Sequence, residues 1–144
     1  DIGVDGLILP DLPFEEKEEF LVLCHAHEVD LISMIAPTSK DRIAMIACEA
    51  EGFLYIVSSM GVTGTRRAIT TDVGAIVEIV RQHTDLPCAI GFGISTPEQA
   101  QHMAQYADGV IVGSAIVNIV ERYGRDAAPH VSAYVRDMKT AIND

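Results

Sequence analysis

The chain is poor in basic residues. Its 144 residues carry 10 Lys and Arg against 21 Asp and Glu, a net charge of −11. Binding a nucleic-acid backbone needs clustered Lys and Arg, so no nucleic-acid partner is expected. A small phosphate ligand would have to rely on backbone N–H groups and a few hydroxyls. Long apolar runs are also missing. None approaches the roughly 18 residues of a membrane span, and no basic segment with an apolar stretch opens the chain as a secretory signal would. A cytoplasmic chain with no membrane partner is therefore expected. Cysteine is scarce: Cys24, Cys48 and Cys88 are scattered, odd in number and without metal-ligand spacing. They read as small buried hydrophobes in a reducing compartment, and no metal site is expected. His25, His27, His83, His102 and His130 fall in helical or polar stretches and read as solvated.

No linker or low-complexity stretch interrupts the sequence, so residues 1–144 read as one domain or part of one. With 49% hydrophobic residues and a mean hydropathy of +0.24, a sizeable core is available. Apolar runs without alternation mark strands buried on both faces; they fall at Leu7–Pro10, Leu31–Ala36, Phe53–Val57, Cys88–Ile90 and Val110–Val112. Between and after them lie helical patterns at Phe14–His27, Ser39–Ala50, Thr71–His83, Pro97–Tyr106, Ser114–Tyr123 and Asp126–Ile142. Thr96 precedes Pro97 as a helix cap with proline in the first turn, and Pro13 is expected at the same first position of its helix. Strict βα alternation predicts a parallel sheet. The strand spacing suits a barrel of eight βα units in roughly 250 residues, of which this chain would supply about five. A doubly wound open sheet is the second reading; the absence of a G-x-G-x-x-G turn weakens it.

The start of the chain repeats a later pattern. Val4-Asp5-Gly6-Leu7-Ile8-Leu9 parallels Ala107-Asp108-Gly109-Val110-Ile111-Val112, each a helix exit, a tight turn and a strand. Further βα units upstream of Asp1 are expected on this ground. The other reading is a genuine first strand after a processed N-terminus.

Two glycine turns carry the chemistry. Gly91-Phe92-Gly93-Ile94-Ser95 and Gly113-Ser114-Ala115-Ile116 each follow a strand and lead into a helix. That arrangement points free N–H groups at an anion. In parallel barrels a phosphate site lies after the last two strands, at a short extra helix. The stretch from Ser58 to Thr71, with Gly61-Val62-Thr63-Gly64 and the pair Arg66-Arg67, is long for a βα loop and reads as a lid or a surface insertion. Asp11 stands at a strand's carboxyl end, as a ligand contact or a turn residue. Tyr55, within its strand, needs a partner for its hydroxyl if buried.

Together, Val4–Pro13, Leu54-Tyr55-Ile56-Val57 with Gly61–Gly64, Gly91–Ser95 and Gly113–Val117 resemble the tryptophan synthase alpha subunit family, in order and spacing across the whole chain. The resemblance implies the C-terminal part of an eight-stranded βα (TIM) barrel. It implies a lyase of tryptophan biosynthesis that cleaves indole-3-glycerol phosphate to indole and glyceraldehyde 3-phosphate by a retro-aldol reaction, without a cofactor. It also implies a beta-subunit partner. Carried over by position, Gly64, Gly93, Gly113 and Ser114 match phosphate contacts, and Phe92 and Ile111 match the indole pocket. Tyr55 matches a tyrosine near the catalytic acid, and Thr63 a threonine that steadies an acidic residue. Asp11 and Pro13 match the beta-subunit interface. The family's catalytic glutamate and aspartate belong to the first barrel strands and have no counterpart here, so the chain alone is expected to be inactive. It would need the N-terminal barrel segment, or would self-associate through exposed strand edges. The alternatives are another phosphate-binding barrel, of the ribulose-phosphate epimerase or thiamine-phosphate synthase type, and a non-catalytic half-barrel assembly module.

Overall fold

The computed structural model of the protein describes residues 3–58 and 72–143. Five parallel strands form one sheet in the order β1-β2-β3-β4-β5. They are β1 (Gly6–Ile8), β2 (Asp30–Ile35), β3 (Leu54–Val57), β4 (Cys88–Gly91) and β5 (Gly109–Val110). Helices α1 (Glu18–Ala26), α2 (Lys40–Cys48), α3 (Val73–Arg81) and α4 (Pro97–Ala104) lie between successive strands; α5 (Ser114–Tyr123) and α6 (Ala127–Asn143) follow β5. Every crossover runs to the adjacent strand. A doubly wound sheet reverses direction at a switch point, so that reading is overturned.

Side-chain alternation along each strand sorts the sheet into two faces. Ile35, Ile56, Ile90 and Val110 are in register across four strands. The first three are fully buried, and all four join one core with Ile43 and Ile46 of α2, Ile76, Val77 and Val80 of α3, Met103 of α4 and Met138 of α6. Each fully buried Ile or Leu contributes about 1.5–3 kcal/mol through removal from water. The neighbouring row, Met34, Tyr55, Ala89 and Gly109, is also in register and points to the opposite face. Helices thus cover one face, as on the outside of a βα barrel.

Local signals explain the boundaries. Ser39 caps α2 by accepting from the Arg42 N–H (3.4 Å), and Asp72 caps α3 by accepting from the Ala75 N–H (3.1 Å). Thr96 and Gln99 form a reciprocal capping box at α4, with Pro97 in its first turn, as expected from the sequence. The expected helix from Phe14 to His27 is instead a 3-10 turn, Phe14–Glu16, followed by α1. Pro13 is the residue before that turn, with extended backbone (ψ 144°), rather than the first helical position. β1 stops before Pro10, which has no N–H to give a ladder, and the chain turns through a Leu12 N–H to Leu9 carbonyl bond of 3.2 Å. Cys24 and Cys88 are buried, but Cys48 is exposed on α2, which corrects the expectation for that residue. All five histidines are exposed.

Candidate functional site

The two glycine turns lie side by side at the carboxyl ends of β4 and β5. After Gly91 the backbone enters the left-handed region twice in succession, at Phe92 (φ 75°) and Gly93 (φ 79°). Phenylalanine is rarely found there, so something must hold the turn. Ser58, the residue after β3, is fully buried. Its N–H donates to the Gly91 carbonyl at 3.0 Å. Its hydroxyl lies 2.7 Å from the same carbonyl and in closer contact with the Phe92 carbonyl. Downstream, the Gln99 side chain accepts from the Ser95 N–H (2.8 Å) and the Thr96 N–H (3.2 Å). Tyr134 of α6 donates its hydroxyl to the Ser95 carbonyl at 2.9 Å. The turn is therefore fixed from β3, α4 and α6.

At β5 the Ile111 N–H reaches the Ile90 carbonyl at 2.8 Å, and α5 begins at Ser114, with the Ile116 and Val117 N–H groups closing on the Gly113 carbonyl. The first N–H groups of an α-helix have no carbonyl within the helix. α5 thus supplies donors and the positive end of a helix dipole, where the sequence predicts a short helix after Val110–Val112.

Tyr55, Phe92, Gly93, Ile94, Ile111, Gly113 and Ser114 line one cavity of about 120 Å³. Six of these were candidates from the sequence; Ile94 was not. The Tyr55 and Phe92 rings meet edge to face at 6.0 Å. Burial pushes the Tyr55 hydroxyl up from its ordinary value, so it stays protonated and able to donate. Phe92 also borders a second cavity of about 660 Å³, whose walls include Pro13, Met34, Val57 and Lys17. That volume lies within the roughly 300–1,000 Å³ usual for ligand sites, and the smaller cavity suits one group of a ligand. Asp11 is exposed and lines neither cavity. Thr63 and Gly64, with Arg66 and Arg67, lie outside the described residues. Sequence reasoning missed Ser58 and Lys17. Lys17 is buried, with its ammonium 2.7 Å from Glu49 and 4.3 Å from the centre of the Phe14 ring. Among the described residues no cluster of His, Cys, Asp or Glu could hold a metal ion, and no helix is long and apolar enough to cross a membrane.

The family profile described as tryptophan synthase alpha chain matches residues 1–143. The chain belongs to the tryptophan synthase alpha chain family. The alpha chain of Lacticaseibacillus casei is 45% identical over 99% of this chain and 54% of its own length. That of Lactiplantibacillus plantarum is 51% identical over the same shares. A solved tryptophan synthase of Mycobacterium tuberculosis is similar at a TM-score of 0.79 and 34% identity, over 96% of this chain and 51% of that one. The alpha subunit from Campylobacter jejuni gives 0.79 and 31%, over 94% and 54%. This chain spans about half the length of the curated relatives it matches. Its α/β class, parallel and barrel-like, is that of these neighbours.

Proposed function

We propose that this chain is the phosphate- and indole-binding part of a tryptophan synthase alpha subunit, the C-terminal five βα units of a single barrel domain. The whole subunit would be a carbon–carbon lyase that cleaves indole-3-glycerol phosphate to indole and glyceraldehyde 3-phosphate and works with a beta subunit. The observation that carries the reading is the convergence of Tyr55, Phe92, Gly93, Ile111, Gly113 and Ser114 on one cavity. Backbone N–H groups at Gly93 and Gly113 and the Ser114 hydroxyl suit a phosphate on a chain of net charge −11. Phe92 and Ile111 suit the indole. Thr63 and Gly64 join the same reading by sequence, and Asp11 and Pro13 are proposed to face the beta subunit.

The reaction protonates the indole at C3 while the side-chain hydroxyl loses a proton, and the bond between the indole and the sugar carbon breaks. Such a step needs a positioned acid and base, worth about 10²–10⁴-fold each. The protonated Tyr55 hydroxyl can donate a hydrogen bond but is not a base at neutral pH. The chain alone is therefore proposed to bind without turnover, and the N-terminal half of a relative's barrel to complete it. Indole release from indole-3-glycerol phosphate tests this. The chain alone should release none, and the chain mixed with the N-terminal half of the Lactiplantibacillus plantarum relative should release it. Release by the isolated chain, free of contaminating enzyme, overturns the proposal, as does inactivity of a properly assembled mixture.

A further inference from the structure

We propose that Ser58 is a positioning residue, which sets the Phe92–Gly93 peptide so that the Gly93 N–H faces the ligand; the inference rests on the anion-binding reading above. Two successive left-handed residues after Gly91 take the Phe92 carbonyl out of the regular strand ladder, while the Gly91 carbonyl keeps its place at the end of it. The Phe92 carbonyl is partly buried, and a carbonyl with little access to water needs a donor. The Gly91 carbonyl has the Ser58 N–H. The Phe92 carbonyl has the Ser58 hydroxyl, and that hydroxyl also reaches the Gly91 carbonyl. A hydroxyl carries one proton, so only one of the two carbonyls receives it at a time. The Gly91 carbonyl keeps its N–H donor in either case, so the proton is needed at Phe92.

The consequence follows from peptide planarity. No cis peptide occurs among the described residues, and in a trans peptide the carbonyl and the next N–H point in opposite directions. Anchoring the Phe92 carbonyl on Ser58 therefore turns the Gly93 N–H away from Ser58. Gly93 lines the 120 Å³ cavity, whereas Ser58 is fully buried and does not. Without the hydroxyl, the Phe92 carbonyl is free to rotate toward another donor, and the Gly93 N–H leaves the ligand's side with it.

The test compares the unsubstituted chain with Ser58→Ala, Ser58→Cys and Ile56→Val, the last a methyl deletion from the core on the same strand. Amide and carbonyl shifts are read by NMR without ligand and through a titration with inorganic phosphate. Without ligand, Ser58→Ala should move the Phe92 carbonyl and Gly93 amide resonances and leave Gly113 in place. In the titration it should weaken phosphate binding roughly tenfold, the scale of one lost hydrogen bond to a buried group. Ser58→Cys, a weaker donor, should fall between, and remains informative if Ser58→Ala does not fold. Ile56→Val should lose stability without losing phosphate affinity. If phosphate moves Gly93 equally in the unsubstituted and Ser58→Ala chains, the anion site stands and the role of Ser58 falls. If phosphate leaves Gly93 unmoved in the unsubstituted chain, the anion-site reading is wrong and the inference falls with it.

Discussion

The Tyr55 side chain occupies the space that a side chain on Gly91 would need. A Cβ built on Gly91 would come within 2.6 Å of the Tyr55 ring carbon Cε1 and closer still to its hydroxyl. Gly91 is a strand residue without positive φ, so glycine is required there by the close approach rather than by backbone strain. Gly91→Ala should destabilise the chain by about 1–3 kcal/mol, the usual range for overpacking. The loss should shrink in a Tyr55→Ala background, because the clash is removed with the ring. Urea unfolding of the four variants in the cycle measures it. Equal losses in both backgrounds would show that the two residues do not interact.

Glu28 offers the reverse case, a side chain where glycine is better. It follows α1 in the left-handed conformation (φ 56°). The Val29 N–H closes on the Cys24 carbonyl at 3.0 Å, and the Glu28 N–H on the His25 carbonyl at 3.2 Å. This is the helix-ending arrangement that favours glycine, and a side chain in that conformation costs about 1–2 kcal/mol. Part of the gain is lost to the greater freedom of glycine in the unfolded chain. Glu28→Gly should raise stability by about 0.5–1 kcal/mol. A lowered thermal midpoint would contradict it.

Asp108 gives the chain a specific pH dependence. Its carboxylate accepts from the Cys88 N–H at 2.8 Å and pairs with Arg81 at 2.7 Å. The Cys88 N–H, and then the Arg81 guanidinium, hold its carboxyl below the ordinary value despite partial desolvation. A lowered folded-state pKa adds stability that is fully present above the unfolded pKa, about 3.9, and is lost as pH falls through the folded value. The side chain is 48% exposed, so solvent screens the pair and the gain is about 1 kcal/mol or less. Asp108→Asn should be less stable by that amount at pH 7. The difference should fade in acid, once the carboxylate of the unsubstituted chain is protonated. A difference that persists unchanged to low pH would overturn the assignment.

The elements were legible because their signals are local. The strands Leu54–Val57 and Cys88–Gly91 are unbroken apolar runs with three of four residues buried in each, and Thr96-Pro97 announces α4. The paired glycine turns marked the cavity because each stands between a strand and a helix, and Gly93 and Gly113 both line it. Ser58 could not be read the same way. A serine after a strand carries no pattern, and its role exists only when Gly91 and Phe92, more than thirty residues later, are brought beside it. Glu28 was hidden because any residue type can end a helix at a cost. Pro13 was misplaced because proline suits both the first helical position and the extended residue before a turn.

The β1–α1 unit presents apolar side chains to solvent: Val4, Leu7 and Ile8 at the edge strand and Phe20, Val22 and Leu23 on α1, with Val22 69% and Leu23 62% exposed. Among the described residues β1 has a strand neighbour on one side only, and such an edge can pair with another chain. Exposed apolar side chains in this number favour association. The isolated chain should therefore self-associate through this unit. Val22→Lys with Leu23→Glu should shift it toward monomer at little cost in stability, since neither side chain is part of the core. Sedimentation under reducing conditions checks both, the reductant excluding disulfide dimers through the exposed Cys48. Adding the N-terminal half of a relative should compete with self-association for the same surface. A stable monomer of the unsubstituted chain would defeat the edge argument, and association unchanged by the double substitution would move it to another surface.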